Sequence, residues 1–145
     1  SGMIIKLEKL TVQSRREQEL IDVTPLVEEA VAASGVTNGL VNIINLHTSA
    51  GVVVTEGIEC LERDVLAHLA RLAPEEGEYW HNRYLDFDGR LGFNAHAHLR
   101  SILSGYFAMF PIADGKLIKG GRQRVYFAEY DGPLSREVLV QILGE

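Results

Sequence analysis

Five histidines carry most of the chemistry this sequence can offer: His47, His68, His81, His96 and His98. His47 closes the apolar run Leu40 to Leu46 and is followed by Thr48-Ser49-Ala50-Gly51. A ring at the end of a rigid strand can be aimed into a cleft, and small hydroxyl neighbours leave room for a ligand. His81-Asn82 follow Tyr79-Trp80 after the polar stretch Glu75 to Glu78, where Trp80 either walls a pocket or anchors the loop to the core. The run Asn94-Ala95-His96-Ala97-His98-Leu99-Arg100-Ser101 holds two histidines with alanine between them. In a strand both would face one side; in a helix they diverge. Leu99, Ile102 and Leu103 favour the helix, so one of the two is expected to reach a site.

Three neutral imidazoles around a zinc ion leave a fourth position for water and lower its pKa to roughly 7. His47, His81 and His98 are the candidate set. Glu56 would then serve as general base, as a ligand, or as an ordinary strand-end carboxylate, and spacing does not choose among these. Imidazole suits zinc, copper, iron and nickel alike. His68 has no second histidine four residues away to complete a helical metal pair, which favours a surface or satisfied ring. The single cysteine, Cys60, cannot form an internal disulfide and is expected as a small buried residue.

The elements that must position these groups are mostly strands. Ile4 to Val12, Glu19 to Val23, Leu40 to His47 and Val52 to Glu56 are short, rich in Val, Ile and Leu, and bounded by Gly, Ser or Asn. Tyr106 to Ala113 and Lys116 to Lys119 flank Asp114-Gly115, a dipeptide that supplies the positive φ of a tight hairpin. Arg124 to Tyr130 and Glu137 to Leu143 complete the strands. A helix starting at Pro25 has Thr24 as its expected cap and Gly35 as its left-handed stop. Glu59 to Leu72 repeats Leu61, Val65, Leu69 and Leu72 at helical steps. A third short helix is expected over Ala95 to Ser104, capped by Asn94 and stopped by Gly105. The fold class is therefore α+β: a two-sheet, mainly antiparallel β-sandwich with two or three helices in a single domain. Ser1-Gly2 read as a remnant of tag removal, placing the expected domain at residues 3–145.

The net charge of −6 argues against general nucleic-acid binding. It is uneven: Leu99 to Tyr126 carries Arg100, Lys116, Lys119, Arg122 and Arg124 against Asp114 alone. That span either attracts anions or protects strand edges. No apolar run approaches the ~18–20 residues of a membrane span, and no signal peptide precedes the first strand, so a cytoplasmic protein with no membrane partner is expected.

The order His47-Thr48-Ser49-Ala50, Glu56, Pro74-Glu75-Glu76-Gly77-Glu78-Tyr79, His81-Asn82, Ala97-His98-Leu99-Arg100-Ser101 and Gly105 resembles the YjbQ family. The likeness continues through Gly115-Lys116-Leu117, Gln123 and Glu129 to Asp131-Gly132-Pro133. The resemblance implies a compact fold with two sheets, a homotrimer, a histidine pocket able to hold a metal, and a link to secondary thiamine-phosphate synthase activity. Carried over, His47, His81 and His98 match the family's histidines, and His96 matches none. Arg100 stands where the family usually has lysine. Thr55 stands where asparagine usually precedes the glutamate, and Gly120-Gly121-Arg122-Gln123 replaces a Gly-Thr-Trp-Gln run. Exchanging tryptophan for Arg122 trades a stacking surface for positive charge.

The expected function is metal-assisted chemistry on a small phosphorylated metabolite, with a divalent metal such as zinc as cofactor. In the synthase case a pyrimidine pyrophosphate and a thiazole phosphate join and release pyrophosphate. Thr48, Ser49, Asn82, Arg100, Ser101, Arg122 and Gln123 are the expected substrate contacts. The alternative is a non-catalytic protein that binds a metal or an anionic metabolite.

Overall fold

The structure, a computed structural model, describes residues 2–83 and 93–145. Its strands are β1 (Ile4–Gln13), β2 (Glu19–Asp22), β3 (Gly39–Asn45), β4 (Ala50–Glu56), β5 (Phe107–Ala113), β6 (Lys116–Leu117), β7 (Gln123–Glu129) and β8 (Ser135–Gly144). Its helices are α1 (Thr24–Ser34), α2 (Glu59–Leu72) and α3 (Ala95–Ser104), with one 3-10 turn at His81–Arg83. Among the described residues the strands form a five-stranded sheet, β1-β8-β3-β5-β6, and a three-stranded sheet, β2-β7-β4. Every pairing is antiparallel. Among the described residues this is the expected α+β architecture of two sheets and three helices.

The main core lies between the sheets. Alternate residues of β8 and β3, such as Val138, Val140, Ile142, Val41 and Ile43, meet Val52, Val125 and Phe127 of the smaller sheet and Val27 and Val31 of α1. β7 does not alternate: residues 125–130 are all buried. Its other face, through Ala128 and then Tyr130, packs on Leu69 of α2 and Ala97 of α3. A strand covered on both sides reads as a continuous apolar run. The order of layers is therefore five-stranded sheet, three-stranded sheet, then α2 and α3.

The outer face of the larger sheet carries an exposed apolar patch among polar residues. Register places Ile5, Leu143, Leu40 and Pro111 in one row, and Leu7, Gln141, Asn42 and Met109 in the next. Ile5, Leu7, Leu40 and Met109 are exposed.

Local chemistry explains the punctuation and corrects some of it. Asp114 (φ 52°) and Gly115 (φ 75°) close the β5–β6 hairpin as a two-residue turn with positive φ. Gly35 stops α1 at φ 79°. Thr24 does not cap α1: Val23 occupies the cap position, and the Thr24 hydroxyl instead accepts the Val125 N–H at 2.8 Å, tying the helix start to β7. Asn94 does not cap α3 with its side chain, which is committed elsewhere. Cys60, expected inside, is exposed on the first turn of α2. β3 ends at Asn45, so His47 sits in the following turn rather than on the strand.

Candidate functional site

The turn from Leu46 to Ser49 is held by a buried polar residue that ends β3. Asn45 donates from Nδ2 to the carbonyls of His47 (2.6 Å) and Ala50 (3.0 Å), and its Oδ1 accepts the His47 N–H at 2.9 Å. A second brace comes from Arg136 on β8. Its guanidinium donates to the Ser49 Oγ at 2.9 Å and to the Glu129 carboxylate through both Nε and Nη2. Glu129 is fully buried and also accepts from the Ser14 hydroxyl at 2.7 Å and the Asp131 N–H at 3.1 Å. Burial opposes its ionisation, but the bonds from Arg136 and Ser14 outweigh burial and hold the carboxyl below its usual range.

Within this frame hydrogen bonds fix where each of the three histidines carries a proton. The His47 Nε2 accepts the backbone N–H of Glu137 at 2.8 Å. A ring nitrogen that accepts cannot carry a proton, so His47 is neutral with its proton on Nδ1. Burial, then the nearby Arg136 charge, lowers its pKa in the same direction. His98 has its Nδ1 2.9 Å from the Thr48 carbonyl. A carbonyl only accepts, so Nδ1 carries a proton and donates it to Thr48. His81 has its Nε2 2.8 Å from the Asn94 Oδ1. The amide's orientation follows from its Nδ2, which donates to the Asp131 carboxylate at 2.8 Å. His81 therefore carries its proton on Nε2. The His81 and His98 rings meet edge to face, with centroids 5.0 Å apart.

Two adjoining cavities share His98 and Thr48. One, of about 510 Å³, is lined by Thr48, Tyr79, Trp80, His81, Ala95, His98 and Leu99. The other, of about 520 Å³, is lined by His47, Thr48, His98, Ser101, Ile102, Gly105 and Tyr106. Trp80 is 75% exposed, so it forms a wall and not a core anchor. The Arg83 guanidinium lies 5.7 Å from its ring centre.

A three-histidine zinc centre does not fit this arrangement. His47 has given its Nε2 lone pair to Glu137 and its Nδ1 to a proton. Among the described residues, His47, His81 and His98 do not bring three ligand atoms within reach of one ion, whereas Glu17, Glu75 and His96 do.

The remaining expected contacts divide. Thr48 and Ser101 line the cavities, and Ser101 donates to the Ala50 carbonyl at 2.5 Å. Ser49 is buried against Arg136. Asn82 uses its Oδ1 to accept the Ala95 N–H at 3.2 Å, which caps α3 from outside. Arg100 is 1% exposed and bonds the Ala73 carbonyl at 2.9 Å, because two residues beyond His98 on a helix is the opposite face. Glu56 ends β4, about 20 Å along the strand from Ala50. There it forms an ion pair with Arg122 at 3.6 Å, beside Gln123, its register partner. Glu56, Arg122 and Gln123 are thus a cluster of their own, outside the histidine cavities. From the sequence alone Asn45 and Arg136 are missed, Asn94 has only a capping role, and Glu129 has no role at the site. The available signal was a polar residue inside or directly beside an apolar strand run, at Asn45 and Glu129.

Two antiparallel sheets stacked under two helices, with a histidine cleft between turn and helix, define an α+β protein of the UPF0047 type. The chain belongs to that family: the model described as UPF0047 protein YjbQ-like matches residues 8–145. It is 33% identical to a UPF0047 protein of Methanocaldococcus jannaschii, with 99% of each chain covered. It is 36% identical to one from Archaeoglobus fulgidus, over 93% of this chain and 99% of that protein. Among solved structures, a YbjQ-like protein of unknown function from Sulfolobus solfataricus P2 superposes with a TM-score of 0.91 at 34% identity, covering 99% of this chain and 100% of that one. A hypothetical protein from Aeropyrum pernix K1 gives 0.88 at 35% identity, covering 97% and 99%. Among the described residues no helix is long and apolar enough to cross a membrane.

Proposed function

We propose that the cavities bind a small phosphorylated metabolite and that His98 and His47 divide acid–base work on it. The observation that carries this reading is that both line one cavity with opposite capacities. His98 offers a lone pair on Nε2, oriented by the Thr48 carbonyl, and is the general base. His47 keeps its remaining proton on Nδ1, oriented by the Glu137 N–H, and is the donor to a developing negative oxygen. The apolar walls and the Trp80 and Tyr79 rings suit a ring-bearing substrate. Secondary thiamine-phosphate synthesis is the narrower case. It needs positive charge on the departing pyrophosphate, and Arg100 and Arg122 lie outside the cavity, so the broader reading is favoured.

The homotrimer belongs to the same proposal. The exposed rows containing Ile5, Leu7, Leu40 and Met109 form a sheet face of the kind that a second copy covers.

The test is a panel of phosphate and pyrophosphate esters, followed by phosphorus NMR with the parent, His98→Gln and His47→Gln. Turnover by the parent and its loss in His98→Gln support the reading. Binding without turnover by the parent supports the non-catalytic metabolite-binding alternative.

A further inference from the structure

His96 lies on the far side of α3 from His98 and has no place in the cavities. It is 2% exposed, and neither ring nitrogen has a hydrogen-bond partner. Leaving such groups unsatisfied in the interior is costly, so something is expected to meet them. Its Nε2 faces the Glu17 carboxylate, with Oε1 at 3.9 Å. A ligand atom from each of Glu17, Glu75 and His96 lies within 4.8 Å of the others. The three residues come from separate segments: the β1–β2 loop, the turn after α2, and the first turn of α3.

We propose that Glu17, Glu75 and His96 form a divalent-cation site, separate from the histidine cavities, that takes a zinc-like ion and ties α3 to the β1–β2 loop and the turn after α2. One imidazole and two carboxylates are a donor set for zinc or a neighbouring first-row ion, with bonds of about 2.0–2.2 Å. Tetrahedral ligands at that radius stand about 3.4 Å apart. The His96–Glu17 separation of 3.9 Å therefore closes by about half an ångström and the widest, within 4.8 Å, by up to about 1.4 Å, and both carboxylates sit on exposed side chains.

A proton is the obvious competitor, since protonated His96 would pair with Glu17. Burial, then the charge of Arg100, favours the neutral ring, which is the ligand form. Arg100 also sets a limit. Its buried guanidinium bonds Ala73 and leaves Nη1 without a partner, so Glu75 answers to it as well. Asp131, the third carboxylate that His96 feels, is engaged by Asn94. A divalent ion between the two carboxylates takes the Nε2 lone pair, and its double charge competes with the single charge of the guanidinium for Glu75.

The experiment uses the full chain, stripped with chelator and titrated with zinc chloride. Bound metal is measured after gel filtration, and the thermal midpoint is followed alongside. The variants are Glu17→Gln/Glu75→Gln, with both changes on exposed side chains, His47→Ala/His98→Ala, and Glu76→Gln as a neighbouring control. The proposal expects near-stoichiometric zinc and a raised midpoint in the parent, the control and the His47/His98 variant, with both lost in Glu17→Gln/Glu75→Gln. It is overturned if the stripped parent takes up no zinc, which leaves buried water as the partner of His96. It is equally overturned if zinc survives in Glu17→Gln/Glu75→Gln and is lost in His47→Ala/His98→Ala, which would restore the three-histidine centre.

Discussion

Replacing Glu129 by glutamine tests the frame that holds the His47 turn. The carboxylate is fully buried and receives Arg136 through two nitrogens, the Ser14 hydroxyl and the Asp131 N–H. Glutamine preserves the shape but turns an NH2 group toward these donors and leaves the Arg136 guanidinium buried without its counter-charge. Breaking a buried pair from one side costs about 3–5 kcal/mol. A domain of this size has about 5–15 kcal/mol in total, so the variant should unfold at much lower urea concentration. Glu129→Leu/Arg136→Met removes both charges and should be less destabilised than the single change. The pH dependence has a definite sign. The folded carboxyl titrates below its unfolded value, so its contribution is present above about pH 4 and is lost as pH falls through the folded value. Glu129→Gln should therefore show a flatter acid limb than the parent. Urea unfolding followed by far-UV circular dichroism from pH 3 to pH 8 measures all three. A single variant within about 1 kcal/mol of the parent at pH 7 would refute the reasoning.

Three further outcomes are expected. With any ester the parent turns over, His98→Gln should lower kcat by about 10²–10⁴-fold while leaving the dissociation constant of the ester nearly unchanged, read by single-turnover and equilibrium titration. Thr24→Val leaves the buried Val125 N–H without its acceptor and should cost about 1–3 kcal/mol in chemical denaturation. Leu7→Asp/Met109→Glu places charge on the exposed face of the larger sheet and should yield a monomer by sedimentation, with an unchanged far-UV spectrum.

Much of the fold is legible because its signals are local. Pro25 and Gly35 bracket α1, Asp114-Gly115 marks the hairpin, and the alternation along β8 fixes which side faces the core. The partners of polar groups were not legible, because they depend on what lies across the fold. Thr24 and Asn94 have the right chemistry for caps, yet each found a better-placed partner on another segment. α3 misleads in a specific way: its leucines and Ile102 point outward, while Ala95, His96, Ala97, Arg100 and Ser101 are its buried face. Helical spacing separates His96 from His98, but only the packing says which side holds the cavity. Glu56 is close to His47 in sequence and distant along β4, since an extended strand carries each residue about 3.3 Å further away.

The division of labour between the histidines is the claim on which the functional reading stands, and proton location tests it most directly. Long-range proton–nitrogen NMR at neutral pH should find His47 and His98 both neutral with the proton on Nδ1, and His81 with its proton on Nε2. Addition of a bound phosphate ester should move the His47 Nδ1 and His98 Nε2 resonances and leave their tautomers unchanged. A His47 ring protonated on Nε2, or a His98 ring charged at neutral pH, would contradict the account.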